Sequence, residues 1–187
     1  MAEHKPWTRT ASREVYRLDP WLSVSVDDYS LPDGRAVSGY HRATWPDFAA
    51  MAVETVDGRF ILTRQWKVGV GATSLILPGG MIDPGETPLA AAQRELMEET
   101  GYRAEDWRLL HRMVLQGNHR GCEAHIFYAR DAVQVAEPDS GDLEEMEILL
   151  LDRDAVRQAL LGHQIVLAAS ATALAMILAG IIPDATP

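Results

Sequence analysis

The sequence predicts an α/β protein: a mixed sheet covered by helices, with a small antiparallel β unit in front of it. Three observations carry this. In the first half, alternating or apolar segments are joined by short turn sequences and read as hairpins. A capped helical run follows a Pro- and Gly-rich loop in the middle of the chain. Strand-like and helix-like segments are then interleaved to the end.

Trp21 to Ser30 (WLSVSVDDYS) alternates like a strand, and LPDGR supplies the turn to a partner at Arg35 to Trp45, which stops at Trp45-Pro46. Phe48 to Val56 and Arg59 to Arg64 flank Asp57-Gly58, a strong hairpin signal. Ser74 to Leu77 is a short apolar strand running into Pro78-Gly79-Gly80. A helix starts with Thr87 as N-cap and Pro88 at its first position, and it stops at Gly101. Further strands are expected at Trp107 to Leu115, Glu123 to Arg130 and Met146 to Leu151. Two helices close the chain, Asp152 to Leu161 with Gly162 as its stop, and Gln164 to Ala179. The division expected is an N-terminal β extension, residues 1–46, and a larger domain, residues 47–187.

Composition narrows the function. The chain has 187 residues, enough for a sizeable core, and its 47% apolar and 24% charged content is that of a globular protein. A net charge of -10 argues against non-specific nucleic-acid binding, yet a small phosphorylated substrate remains accessible if a cation bridges it to the acids. Cys122 is the only cysteine, so no intrachain disulfide and no cysteine-based zinc cluster is expected, and a reducing cytoplasm is the expected location. MAEHKPWTRT lacks the apolar core of a signal peptide. Ile165 to Ile182 carries no charge, but six alanines, Ser170, Thr172 and Gly180 dilute it, so a packed helix is expected rather than a membrane span.

The chemistry concentrates in GGMIDPGETPLAAAQRELMEETGY, residues 79 to 102. Glu95, Glu98 and Glu99 stand at i,i+3 and i,i+4, where like charges weaken a helix, so a positive partner from outside the sequence is expected. On a helical wheel Leu89, Ala92 and Leu96 form an apolar stripe, and the three glutamates fall beside it. Clustered carboxylates at such a boundary suit a hard divalent cation. Gly79, Gly80 and Gly85 let backbone approach a ligand or metal closely. Taken alone, three glutamates on a helix also describe an ordinary solvated face.

The spacing decides between them. Gly80, five residues, Glu86, seven residues, Arg94-Glu95-Leu96, one residue, Glu98-Glu99, one residue, Gly101 and then Tyr102 resembles the Nudix box. Seven fixed letters at that spacing arise by chance on the order of once in 10⁸. Tyr102 departs from the aliphatic residue usual there. PWLSVSVDDYSLPDGR, PDFAAMAVETVDGRFILTRQW and LILPGGMIDPGE extend the similarity to the ADP-ribose pyrophosphatase branch of Nudix hydrolases, from Trp21 to Ala179.

That resemblance implies an α/β/α sandwich, hydrolysis of a diphosphate linked to another moiety, dependence on Mg²⁺ or Mn²⁺, and a homodimer whose N-terminal strands help build the partner's pocket. It implies Glu95, Glu98 and Glu99 as metal ligands, with the Gly79 carbonyl as a further one and Gly80 in the substrate loop. Glu86 and Arg94 would fix the loop and the carboxylates. The general base would come from the acidic loop AEPDSGDLEEMEI, with Glu144 the first candidate, Asp142 and Glu145 next, and Glu98 the alternative on the helix. Arg64 in RQW would sit near the substrate phosphates, and Trp21 and Tyr40 would stack on its base; each is equally readable as a surface, core or dimer-contact residue. His111, His119 and His125 lack metal-ligand spacing, and nothing beside Cys122 marks it as a nucleophile.

Three departures bear on the substrate. Ile76 stands where many ADP-ribose members have glutamate, Gly79 replaces a common alanine, and QGNHRGCEAH lacks a proline that often marks ADP-ribose specificity. ADP-ribose leads, giving AMP and ribose 5-phosphate, with other nucleotide sugars, dinucleotides and dinucleoside polyphosphates as alternatives. A non-catalytic nucleotide sensor would be expected to have lost box carboxylates, and this box is complete.

Overall fold

A computed structural model of the chain describes residues 5–141 and 145–184. Its elements in chain order are β1 (Thr8–Leu18), β2 (Leu22–Ser30), β3 (Ala36–Thr44), β4 (Phe48–Thr55), β5 (Phe60–Lys67), β6 (Ala72–Ile76), β7 (Gly79–Met81) and α1 (Pro88–Thr100). They continue with β8 (Tyr102–Arg103), β9 (Asp106–Gln116), β10 (Arg120–Gln134), β11 (Glu147–Leu151), α2 (Arg153–Leu161) and α3 (Ala168–Leu178). The chain falls into two compact units.

The first unit takes the residues up to Pro46 together with Val114–Glu123. β1, β2 and β3 form an antiparallel meander, with Leu18 opposite Leu22 and Ser30 opposite Ala36. Leu31 and Arg35 close the LPDGR turn through a backbone hydrogen bond of 2.8 Å, and Gly34 adopts a φ of 87°. Arg120 and Gly121 at the start of β10 pair parallel to Ala43 and Thr44 of β3. Inside this unit Asp27 is fully buried, accepting hydrogen bonds from Ser12 Oγ (2.6 Å), Tyr29 Oη (3.1 Å) and Arg42 Nε (2.5 Å).

The second unit takes Asp47–Met113 and the residues from Ala124 onward. β4 lies between β10, which runs parallel to it, and β5 and β7, which run antiparallel. β5 also pairs antiparallel with β6 and β11, so the sheet is mixed, as the sequence predicts. The buried residues Ala91, Ala92 and Leu96 of α1 pack on Ala49, Met51 and Val53, which share one face of β4 by alternation. α3 also packs on β4, and Ser170 accepts a hydrogen bond from the Leu77 amide at 3.1 Å. Cys122, in the stretch of β10 that belongs to the first unit, is buried. None of the described helices is long and apolar enough to cross a membrane, and α3 covers 11 residues of the uncharged segment.

Several boundaries differ from the sequence reading. β5 runs on to Lys67 and β10 spans Arg120–Gln134, because backbone pairing continues past the charged residues Arg64 and Arg130 that set the expected ends, to Lys67 opposite Ala72 and Gln134 opposite Tyr102. β1 was not visible at all: all eleven of its residues are exposed, so it carries no two-residue apolar period. β7 and β8, at three and two residues, are too short to show a pattern. Leu89 is exposed at 39%, and Ala91 takes its expected place on the packed side of α1.

Candidate active site

The site begins where β6 turns into β7. The Pro78 carbonyl accepts from the Met51 amide at 3.0 Å, and Gly79 and Gly80 pair with Ala50 and Ala49. A Cβ on Gly79 would lie 2.7 Å from the Ala50 Cα and closer still to the Ala49 carbonyl, so only glycine lets the two backbones approach this way. A Cβ on Gly80 would collide instead with the Glu95 carboxylate, 2.7 Å from Oε2 and nearer to Oε1.

Helix α1 then delivers the acids. Thr87 caps it by accepting from the Ala90 amide at 3.2 Å, with Pro88 following. Gly101, in the left-handed conformation with φ 71°, ends it as the sequence predicts. Between these caps, Arg94 uses each of its five N–H donors. Nε and Nη2 form a fork on Glu86 at 3.0 Å each, Nη2 also reaches the Met81 carbonyl at 3.1 Å, and Nη1 donates to Glu95 (2.7 Å) and Glu98 (3.0 Å). The fork holds the Glu86 carboxyl below its ordinary value, and the same bonds push the Arg94 guanidinium further up. Glu99 is buried, and its Oε2 accepts from the Gly79 amide at 2.8 Å.

The positive partner that the glutamate spacing called for is thus partly within the chain, as Arg94. One guanidinium stands against four carboxylates, Glu86, Glu95, Glu98 and Glu99. The remaining negative charge and the all-oxygen donor set, Gly79 carbonyl included, fit a hard divalent cation. As placed, the side chains face Arg94 and the Gly79 amide, and among the described residues no three acidic, histidine or cysteine side chains converge into a metal cluster.

The acidic loop begins against this helix. The Val135 and Ala136 amides donate to the Gly101 carbonyl at 2.9 and 3.2 Å, and the Asp139 amide donates to the Glu98 carbonyl at 2.8 Å. Glu145 is described and exposed, while Asp142 and Glu144 lie outside the described residues. Arg64 is exposed on β5, and its Nη1 pairs with Glu147 at 2.6 Å, its cross-strand neighbour on β11, rather than with a box carboxylate. Ile76 is buried at the end of β6 and presents no acid.

Trp21 and Tyr40 belong to the first unit. Trp21 is exposed in the turn between β1 and β2. Tyr40 is half-buried in an edge-to-face cluster with Trp7 and Tyr29 (centroids 6.3 and 5.7 Å), stacks on His119 at 6.0 Å, and donates its hydroxyl to the Asn118 carbonyl at 2.7 Å. Sequence reasoning missed Trp7, Tyr29 and His119 as its companions, because strand register brings them together. It also missed the Met81 carbonyl, Glu147 and the Asp139 amide. Glu147 could have been found by pairing β5 with β11; the two backbone groups leave no trace in residue identity.

Residues 44–167 match the NUDIX domain family. The chain is 28% identical over 148 residues to a Bacillus subtilis protein named ADP-ribose pyrophosphatase, covering 77% of this chain and 80% of that one. It is 30% identical over 150 residues to a Streptomyces rubellomurinus protein named CMP-5'-(N-acetyl-N-hydroxy-3-aminopropyl)phosphonate hydrolase, covering 80% of this chain and 72% of that one. A crystal structure described as an ADP compounds hydrolase shares the fold, with a TM-score of 0.82 over 97% of both chains at 22% identity. With its box complete, Arg94 tying that box together and the family matched over two-thirds of its length, the chain belongs to the Nudix family, as a pyrophosphohydrolase of the ADP-ribose pyrophosphatase-like branch.

Proposed function

We propose that the protein hydrolyses the diphosphate of a nucleoside diphosphate linked to a second moiety, with ADP-ribose as substrate and AMP and ribose 5-phosphate as products. The observation that carries the reading is the arrangement around Arg94, which orients Glu86, Glu95 and Glu98 while the Gly79 amide orients Glu99. The Bacillus subtilis relative's name supports ADP-ribose as the first choice.

Glu95, Glu98 and Glu99, with the Gly79 carbonyl, would hold Mg²⁺ or Mn²⁺. An ion of this kind neutralises phosphate charge and raises the nucleophilicity of water at neutral pH. The chain's residues do the rest. Water attacks one phosphorus, the bond from that phosphorus to the bridging oxygen breaks, and the bridging oxygen departs with the other phosphate. Glu144 takes the water's proton, with Asp142 and Glu145 as the neighbouring alternatives. Arg64 would exchange Glu147 for a phosphate oxygen, and an exposed ion pair of this type yields readily. Trp21 and Tyr40 would stack on the base.

We place the protein in the cytoplasm as a homodimer, with no nucleic-acid or membrane partner. The exposed apolar side chains of the first unit, Trp7, Val15, Tyr16, Leu18 and Trp21, support an assembly in which the N-terminal strands pack on a second copy. Light scattering that shows an active monomer at micromolar concentration would count against the dimer.

A second reading has its own observation. Buried Ile76 offers no acid at a position where many ADP-ribose members have one, and the Streptomyces rubellomurinus relative is named for a CMP conjugate. A hydrolysis panel on the purified protein decides between them, using ADP-ribose, other nucleotide sugars, dinucleotides and CMP conjugates with Mg²⁺ or Mn²⁺. Release of AMP and ribose 5-phosphate at the highest kcat/KM is expected. No cleavage of any nucleoside-diphosphate conjugate with either metal would overturn the proposal.

A further inference from the structure

We propose that a cavity on the side of α1 turned away from the acids is a second binding site, for a planar heteroaromatic ring that carries an anionic group. The cavity measures about 300 Å³, within the range of small-molecule sites. At 100° per residue, its lining residues Gln93, Leu96 and Met97 centre about 150° around the helix from Arg94, Glu95 and Glu98, and none of the four box residues Arg94, Glu95, Glu98 and Glu99 lines it, so it is separate from the site described above.

Its surfaces suit a flat ring. Leu96, Met97 and Ala104 supply the apolar part, and the rings of Tyr102 and Trp107 stand beside them. Trp107 is fixed: its Nε1–H donates to the Ala104 carbonyl at 2.8 Å, and it meets Phe127 edge-on at 6.3 Å. A fixed indole and a neighbouring thioether are good partners for an aromatic face.

The polar groups at the cavity are uncommitted or weakly committed. Neither the Gln93 amide nor the Tyr102 hydroxyl has a hydrogen-bond partner among the described residues. Both can donate and accept, which is what the edge of a heteroaromatic ring requires. Among the described residues Arg103 pairs only with Glu105, itself a lining residue, at 2.6 Å, and both side chains are well exposed. A pair like that contributes little to stability, so its guanidinium can turn to a ligand's anion. Apolar walls with polar side chains at the rim, here exposed Gln93 and Arg103 and half-buried Tyr102, suit a small ligand.

The test reads binding without turnover. The five tryptophans give five indole N–H signals in a ¹⁵N-labelled sample, and Trp107→Phe identifies the one that reports on the cavity. AMP, adenosine and ribose 5-phosphate are titrated with divalent metal removed. AMP should move the Trp107 signal saturably, adenosine should do so about tenfold more weakly, and ribose 5-phosphate should leave it in place. Gln93→Ala and Arg103→Ala should each weaken the AMP response of that signal several-fold. A Trp107 signal that neither AMP nor adenosine moves overturns the proposal, as does unchanged AMP binding in both variants. Because no hydrolysis is measured, either failure leaves the diphosphate-hydrolase reading standing.

Discussion

The carboxylate of Glu95 lies directly over Gly80, in the space that a Cβ on that residue would occupy. Gly80 of β7 is itself held by pairing with Ala49 of β4, so a methyl group there cannot retreat with the backbone and must displace the carboxylate. Gly80→Ala should therefore keep the fold, because its clash is with the end of a side chain, and lose at least about tenfold in kcat/KM, or ~1.4 kcal/mol of transition-state stabilisation. The loss should be partly recovered at high Mg²⁺. Steady-state kinetics against Mg²⁺ concentration check this, and wild-type kinetics in Gly80→Ala would show that the position of Glu95 is immaterial.

Glu99 offers a cleaner test of charge. Its Oε2 accepts from the Gly79 amide, and a glutamine oxygen in the same place can go on accepting. Glu99→Gln should then unfold at close to the wild-type temperature while turnover drops by about two orders of magnitude or more, each order being ~1.4 kcal/mol. Near-wild-type activity at saturating Mg²⁺ would remove Glu99 from the set of ligands.

The two substitutions also mark what could be read from the sequence. The caps Thr87 and Gly101, the Asp57-Gly58 hairpin and the spacing of Glu95, Glu98 and Glu99 are local, and local chemistry writes itself into residue type. Arg94 was legible as a supporting residue, but its fork on Glu86 depends on how residues 82–87, between β7 and α1, bring Glu86 back to the helix, which no periodicity reports. β1 was illegible for a different reason: it is exposed from Thr8 to Leu18, and a strand without a buried face has no pattern to show. The contacts of Tyr40 were out of reach because they come from residues 33 positions before it and 79 after it in the chain, Trp7 and His119.

Asp27 ties pH to the stability of the first unit. Burial alone would push its carboxyl up, but donors from Ser12, Arg42 and Tyr29 override this and hold it below the ordinary value of 3.8. A depressed carboxylate stabilises the folded state fully above its unfolded value, and the contribution disappears as pH falls through the lower folded value. Asp27→Asn should thus cost about 2 kcal/mol near neutral pH, the scale of hydrogen bonds to a charged group. The gap between variant and wild type should hold down to about pH 5 and close only below about pH 4. Denaturant titrations across that range measure it; a gap that stays constant to pH 3 would mean that Asp27 does not carry the charge assigned to it.

The proton acceptor is the remaining choice. Glu95 and Glu98 are engaged with Arg94, Glu99 is engaged with the Gly79 amide, and a carboxylate bound to a cation is a poor base because the cation depresses its proton affinity. A separate acid is needed, and the loop that carries candidates is anchored at the helix through the Asp139 amide and the Glu98 carbonyl. Glu144 and Asp142 follow Gly141 in that loop, and Glu145 is exposed just before β11. If Glu144 is the base, Glu144→Gln should lower kcat by about two to four orders of magnitude with little change in substrate affinity, the range typical of a lost general base. Asp142→Asn and Glu145→Gln should have smaller effects. Single-turnover rates and separate binding measurements distinguish the two quantities. Full kcat in Glu144→Gln together with its loss in a neighbour would move the role to that neighbour. If all three variants keep full kcat, the base is on the helix itself, with Glu98, the more exposed of the Arg94 partners, as the residue to change next.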